Sequence, residues 1–142
     1  MTLQDTFEIE QLIARFANSF DVGDWDGLRG CLTGSIFTDY TDLRGTPPAN
    51  VSSQEYADSR RKSLENVTTH HLAGNYEIAY MDDQNATCRA SMMIWRTSAQ
   101  GQFASHCIYL FRIEKSQMGW RISGITQKVL WNEGDASIHP AK

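Results

Sequence analysis

At 142 residues the chain has the usual size of one domain, and it is long enough to bury roughly two-thirds of its unfolded surface around a core with room for a cavity. Apolar residues make up 41% and charged residues 21%, an ordinary globular balance that excludes extended disorder. A net charge of -4 and a pI near 5.5 leave no basic face, which excludes a nucleic-acid partner.

The opening MTLQDTFEIEQ has no cationic segment followed by an apolar run, and no stretch approaches the roughly 20 apolar residues of a membrane span. A cytoplasmic protein without membrane contact is expected. Cys31, Cys88 and Cys107 are odd in number and far apart, so reduced buried thiols are expected in place of a disulfide framework or a cysteine-rich metal site.

In chain order, Phe7, Ile9, Leu12, Ile13, Phe16, Ala17 and Phe20 recur at helical spacings, predicting an amphipathic helix from Leu3 to Phe20 that stops near Gly23. Asp24 caps a second short helix carrying Trp25, Leu28 and Leu32. SIFTDYTDL reads as a strand and RGTPPANVSS as a loop, with Ser52 or Ser53 capping a third helix near Gln54 to Glu65. After residue 67 the runs THHLAGNYEIAYM, ATCRASMMIWRT, QFASHCIYLFRIE and GWRISGITQKVLW, parted by DDQN, SAQG and KSQM, predict a meander of long antiparallel strands. Helices first and strands afterwards indicate a single α+β domain over 1–142, its curved sheet and N-terminal helices enclosing an apolar pocket. Strand alternation is impure, as expected where one sheet face packs on helices and the other meets a second copy, so a homo-oligomer is expected.

The residues able to carry chemistry are few. Asp21 follows the helix's apolar face into the core, and a carboxylate at a helix C-terminus opposes the macrodipole, which calls for a local partner such as a histidine. His70 and His71 are the candidates. Period-two counting from Leu72, Tyr76 and Ile78 puts His70 in register with the apolar face, whereas a bulge at Gly74-Asn75 reverses the choice to His71. Tyr40 ends the first strand, Arg96 continues the face of Met92 and Ile94, and Tyr109 shares a face with Cys107 and Phe111, opposite His106. No HExxH, HxH, phosphate loop or GxSxG is present, so no metal or nucleotide cofactor is expected.

FDVGDWDGL, IFTDYTDL, THHLAGNYEI and MGWRISGITQKVLWNEGD, in this order, resemble the SnoaL-like branch of the nuclear-transport-factor-2-like superfamily, and within it most closely the scytalone dehydratases. The resemblance implies a cone-shaped barrel of the cystatin-like type, frequently dimeric or trimeric, and catalysis without metal or organic cofactor on a small apolar or aromatic substrate. It implies His71 as a base oriented by Asp21, with Tyr40 polarising a substrate carbonyl through water. Phe20 stands where these dehydratases carry a tyrosine, Arg96 where they carry a second histidine, and Cys107 and Tyr109 where they carry serine and asparagine; with Trp25 these complete the implied substrate-binding set. A dehydratase follows as the expected activity. An isomerase or polyketide cyclase with the same Asp-His core, a binding module, or the small subunit of a ring-hydroxylating dioxygenase are the other readings.

Overall fold

The computed structural model describes residues 1–139. Helix α1 (Leu3–Val22) opens with a reciprocal cap: Thr2 Oγ1 accepts from the Asp5 backbone N–H at 3.0 Å, and Asp5 Oδ2 accepts from the Thr2 N–H at 3.1 Å. Asp5 Oδ1 also accepts from Lys115 Nζ and Trp120 Nε1 at 2.9 and 3.0 Å, tying the start of the helix to the distant end of the chain. At the other end Gly23, at φ 69°, supplies the left-handed residue that stops α1. Ile9, Leu12, Ile13, Phe16, Ala17 and Phe20 are buried, each large side chain contributing roughly 1.5–3 kcal/mol. Phe7 departs from the expected stripe and is 56% exposed, because it lies half a turn round the helix from Phe16.

Helix α2 (Trp25–Gly30) is capped by Asp24, whose Oδ1 accepts from the Gly27 N–H at 2.9 Å. Strand β1 (Leu32–Asp39) stops just before Tyr40, and the expected end of that strand, residues 41–43, instead belongs to a single helical turn, α3 (Thr41–Arg44). The expected loop contains a short strand, β2 (Ala49–Ser52), paired to β1, with Ser52 then capping α4 (Ser53–Ser63).

Strands β3 (Thr68–Tyr80), β4 (Asn85–Ser98), β5 (Gly101–Ser116) and β6 (Gly119–Gly134) form the expected antiparallel meander. The six-stranded sheet has the order β2-β1-β6-β5-β4-β3, in which only the β1–β6 pair is parallel. The sheet is curved and open, wrapped over the N-terminal helices as expected of the cone-shaped, cystatin-like type. Helix α1 crosses β3, so the last turn of α1 stands over the first residues of β3, and Phe16 packs edge-on against Phe20 and Phe111 at 5.2 and 5.5 Å between ring centroids. Cys31, Cys88 and Cys107 are free thiols in the core. No described helix is long and apolar enough to cross a membrane.

Candidate active site

The sheet's inner face is set by one bulge. Up to Gly74, β3 pairs residue for residue with β4, Thr69 facing Arg96 and His71 facing Ile94; the register then resumes at Glu77 opposite Arg89, three residues on β3 against two on β4. Asn75, in the left-handed region at φ 53°, absorbs the extra residue. Beyond the bulge the even positions Ile78 and Tyr80 face inward, but before it the odd ones do, so His71 is buried and His70 is turned outward against Trp95 at 5.7 Å. Leu72 is likewise exposed, at 56%, which is why counting from it misassigned the register.

Asp21 and His71 meet at a 2.7 Å contact between Oδ1 and Nδ1. Asp21 Oδ2 accepts from the His71 backbone N–H at 2.8 Å, and Oδ1 also accepts from Thr69 Oγ1 at 3.0 Å. These donors satisfy a carboxylate that no basic residue in the last turn of α1 compensates. Burial works to raise the Asp21 carboxyl, but the hydrogen bonds from the His71 ring and backbone outweigh it and hold the group below its ordinary value. Burial pushes His71 below its ordinary value, and Asp21 offsets this only in part. The result at neutral pH is an ionised carboxylate holding a neutral imidazole whose Nδ1 donates, leaving Nε2 as the acceptor. Phe20 covers one face of that imidazole, the rings 4.8 Å apart and 26° from parallel.

His71 lines a cavity of about 30 Å³ shared with Phe20, Tyr40, Tyr109 and Arg96. Tyr40 and Tyr56 bond to each other through their hydroxyls at 2.6 Å, and burial, reinforced by Tyr109, pushes Tyr40 up to about 12. Tyr109 is raised by burial as well and accepts from Gln127 Nε2 at 3.1 Å. Arg96 lies buried over Phe103 and donates to Ser105 Oγ at 3.0 Å, and is not a solvated strand end. Two expected lining residues lie elsewhere. Cys107 is buried one row further along the sheet, opposite Met92, outside this cavity. Trp25 stands behind Phe20, edge-on at 6.0 Å, where it lines a neighbouring groove with Asp21 and Thr69.

Other lining residues had no functional signal in the sequence. Arg60 lines the cavity from the buried side of α4, and Tyr56, one turn earlier on that side, stands behind Tyr40 and lines a neighbouring groove, a spacing visible once that helix is assigned. Gln127 on β6 and His139 after the last strand both reach the cavity, and among the described residues Gln127 Oε1 and His139 Nδ1 are buried without a hydrogen-bond partner. Burial, with Arg96, Arg44 and Arg60 nearby, pushes His139 down to about 3. Among the described residues no group of three or more His, Cys, Asp or Glu side chains is arranged to hold a metal ion.

Residues 1–126 match the family model described as a SnoaL-like domain. The chain belongs to the SnoaL-like domain family. Over a stretch of 42 residues it is 38% identical to the scytalone dehydratase-like protein claB of Passalora fulva, a match spanning 30% of this chain and only about a quarter (26%) of that relative. Two solved structures share the fold over nearly their whole length. The Kfla4162 protein of Kribbella flavida has a TM-score of 0.88 at 22% identity, covering 95% of this chain and 96% of that one. The hexachlorocyclohexane dehydrochlorinase LinA-type3 of Novosphingobium barchaimii has a TM-score of 0.79 at 11% identity, covering 97% of each chain. The SnoaL-like fold with its cystatin-like neighbours is the fold expected from the four sequence motifs.

Proposed function

We propose that the protein is a cofactor-independent dehydratase that abstracts a proton next to the carbonyl of a small cyclic or aromatic hydroxy ketone. The single observation that carries the reading is the Asp21–His71 pair, with its 2.7 Å contact at the wall of a cavity. Nε2 of neutral His71 takes the proton from the carbon next to the carbonyl, and the C–H electron pair becomes the enolate. Asp21 stabilises the imidazolium so formed. The enolate then re-forms the carbonyl as the bond to the β-hydroxyl breaks, and His71 returns its proton to the departing hydroxide, so the net loss is one water.

Donors for the enolate oxygen are at hand. If Tyr56 donates to Tyr40, the Tyr40 proton is free to point into the cavity, directly or through a water, and Arg96 supplies positive charge from the sheet side. Closure of the site by aromatic side chains keeps the dielectric low, where such hydrogen bonds count most. The dehydratase-like relative and the dehydrochlorinase of the same fold are named for eliminations, and an elimination starting at a base is what this pair would perform. An isomerase or cyclase would use the same first step. Against a purely binding role stands the close Asp21–His71 contact, which such a role does not require.

The chain is read as one SnoaL-like domain that works in the cytoplasm as a homo-oligomer, a dimer or trimer. The row Leu72, Met93, His106 and Trp131 across the outer sheet face, with Leu72 and Trp131 more than half exposed, supports the oligomer. The test of function is turnover of a panel of cyclic and aromatic hydroxy ketones by the wild type and His71→Ala. The expected result is a product lighter by one water, formed by the wild type alone. A product of unchanged mass would assign isomerisation, and equal turnover by His71→Ala would remove the assignment.

A further inference from the structure

Among the described residues, the cavity beside His71 is lined by three arginines, Arg44, Arg60 and Arg96, and by no acidic side chain. Asp21 lies behind His71 and is engaged by it. None of the three arginines takes part in an ion pair among the described residues. Arg60 and Arg96 are buried, and the Nε of Arg44 is buried without a hydrogen-bond partner among the described residues. Their compensation comes from aromatic faces: Arg60 lies 4.4 and 4.6 Å from the Tyr56 and Tyr40 rings, Arg44 lies 5.8 Å from Tyr40, and Arg96 lies 5.0 Å from Phe103. A cation–π contact offsets part of the cost of burying a guanidinium, and although Arg96 donates to Ser105 Oγ at 3.0 Å and Arg60 to Ser59 Oγ at 3.3 Å, most of each planar fork of N–H donors has no acceptor among the described residues.

Burying a charge without a counter-ion is strongly unfavourable, and here three like charges converge in a chain whose net charge is -4. Burial and the neighbouring Arg60 push Arg44 down to about 10, and all three guanidiniums depress His139, as expected of groups that face one space. Such an arrangement is suited to a ligand that brings the missing negative charge. A guanidinium fork matches the two oxygens of a carboxylate, and the aromatic walls suit a flat ring attached to it.

Resting on the reading of His71 as the base, we propose that the substrate is a cyclic or aromatic acid whose carboxylate is held by Arg44, Arg60 and Arg96. The orphaned Gln127 Oε1 and His139 Nδ1 face the same space and offer polar contacts for the ring substituents. The inner cavity as it stands accommodates little more than a water. Arg44 and Arg60 separate it from an outer groove of about 310 Å³ that also contains Tyr40 and Tyr56, with Glu55 as its one carboxylate. A ring enters from that groove as the Arg44 side chain swings to its carboxylate.

The test compares benzoate and cyclohexanecarboxylate with their primary amides, which have the same shape and no charge, by calorimetric titration of the full chain. The acids are expected to bind at least tenfold more tightly than the amides, and Arg44→Gln and Arg96→Gln to abolish most of that preference. Equal affinity of acid and amide for the wild type, or binding of neither acid, would overturn the proposal. The wild-type comparison decides even where a variant does not fold. His71→Ala is expected to keep the preference for acids, so a failure of the base assignment and a failure of the carboxylate assignment give different results.

Discussion

Phe20 lies stacked on His71, 4.8 Å between ring centroids, and so fixes the plane of the imidazole that Asp21 fixes along its edge. The resemblance placed a missing hydroxyl at this position; the ring that remains has a positioning task of its own. Aromatic pairs of this kind contribute about 0.5–1.5 kcal/mol beyond burial. Phe20→Leu, which keeps an apolar side chain, is expected to lower kcat about tenfold with little change in KM, measured by steady-state kinetics on whichever ketone the wild type dehydrates.

Asp21→Asn keeps the shape of the partner and removes its charge. The amide can present its NH₂ to Nδ1 and turn the imidazole to the wrong tautomer, a change that costs several orders of magnitude in triad enzymes. A fall in kcat of about a hundredfold or more is expected. Because Asp21 raises His71 against the effect of burial, its loss also moves the acid limb of the rate profile to lower pH.

His71 lies below its ordinary value of 6.5, burial being the main cause. The base is therefore neutral throughout the physiological range, and kcat/KM is expected to rise with pH to a half-maximum below 6.5 and to be flat from neutrality upward. A pH–rate profile between pH 4 and 8.5 checks this.

His139 titrates near 3 in the folded chain against 6.5 ordinarily, so between these values the unfolded state binds the extra proton. Its contribution to stability is complete above about 6.5 and is lost as the pH falls toward 3. His139→Leu is expected to flatten the decline of the melting temperature over that window, measured by scanning calorimetry.

Asp5 works in the same direction by another route. Hydrogen bonds from Lys115 and Trp120 hold its carboxyl far below the ordinary range, so its stabilisation is present above pH 3.8 and fades only in stronger acid. Asp5→Asn should lower the melting temperature at neutral pH and leave kcat of the remaining folded protein unchanged.

What the sequence disclosed follows periodicity. The helical stripe of α1, the cap at Ser52 and the four-strand meander are local patterns and were readable, as was the conflict of Asp21 with its helix dipole. Strand β2 was not, since Ala49–Ser52 alternates over only four residues directly after two prolines, too short a run to stand out from a loop. The choice between His70 and His71 turned on a single left-handed residue, Asn75, whose bulge shows itself only through pairing with β4. Arg60 and His139 were missed for a different reason. Their elements pack against the sheet through long-range contacts, and nothing in a stretch such as SRRKS distinguishes the arginine that turns inward from the one that stays in solvent.

Proton abstraction by His71 is the central claim, and it is tested most directly by incorporation of solvent deuterium next to the carbonyl of a cyclic hydroxy ketone, followed by NMR before elimination is complete. The account requires exchange with the wild type and none above background with His71→Ala. Exchange that persists at the wild-type rate in that variant would contradict it.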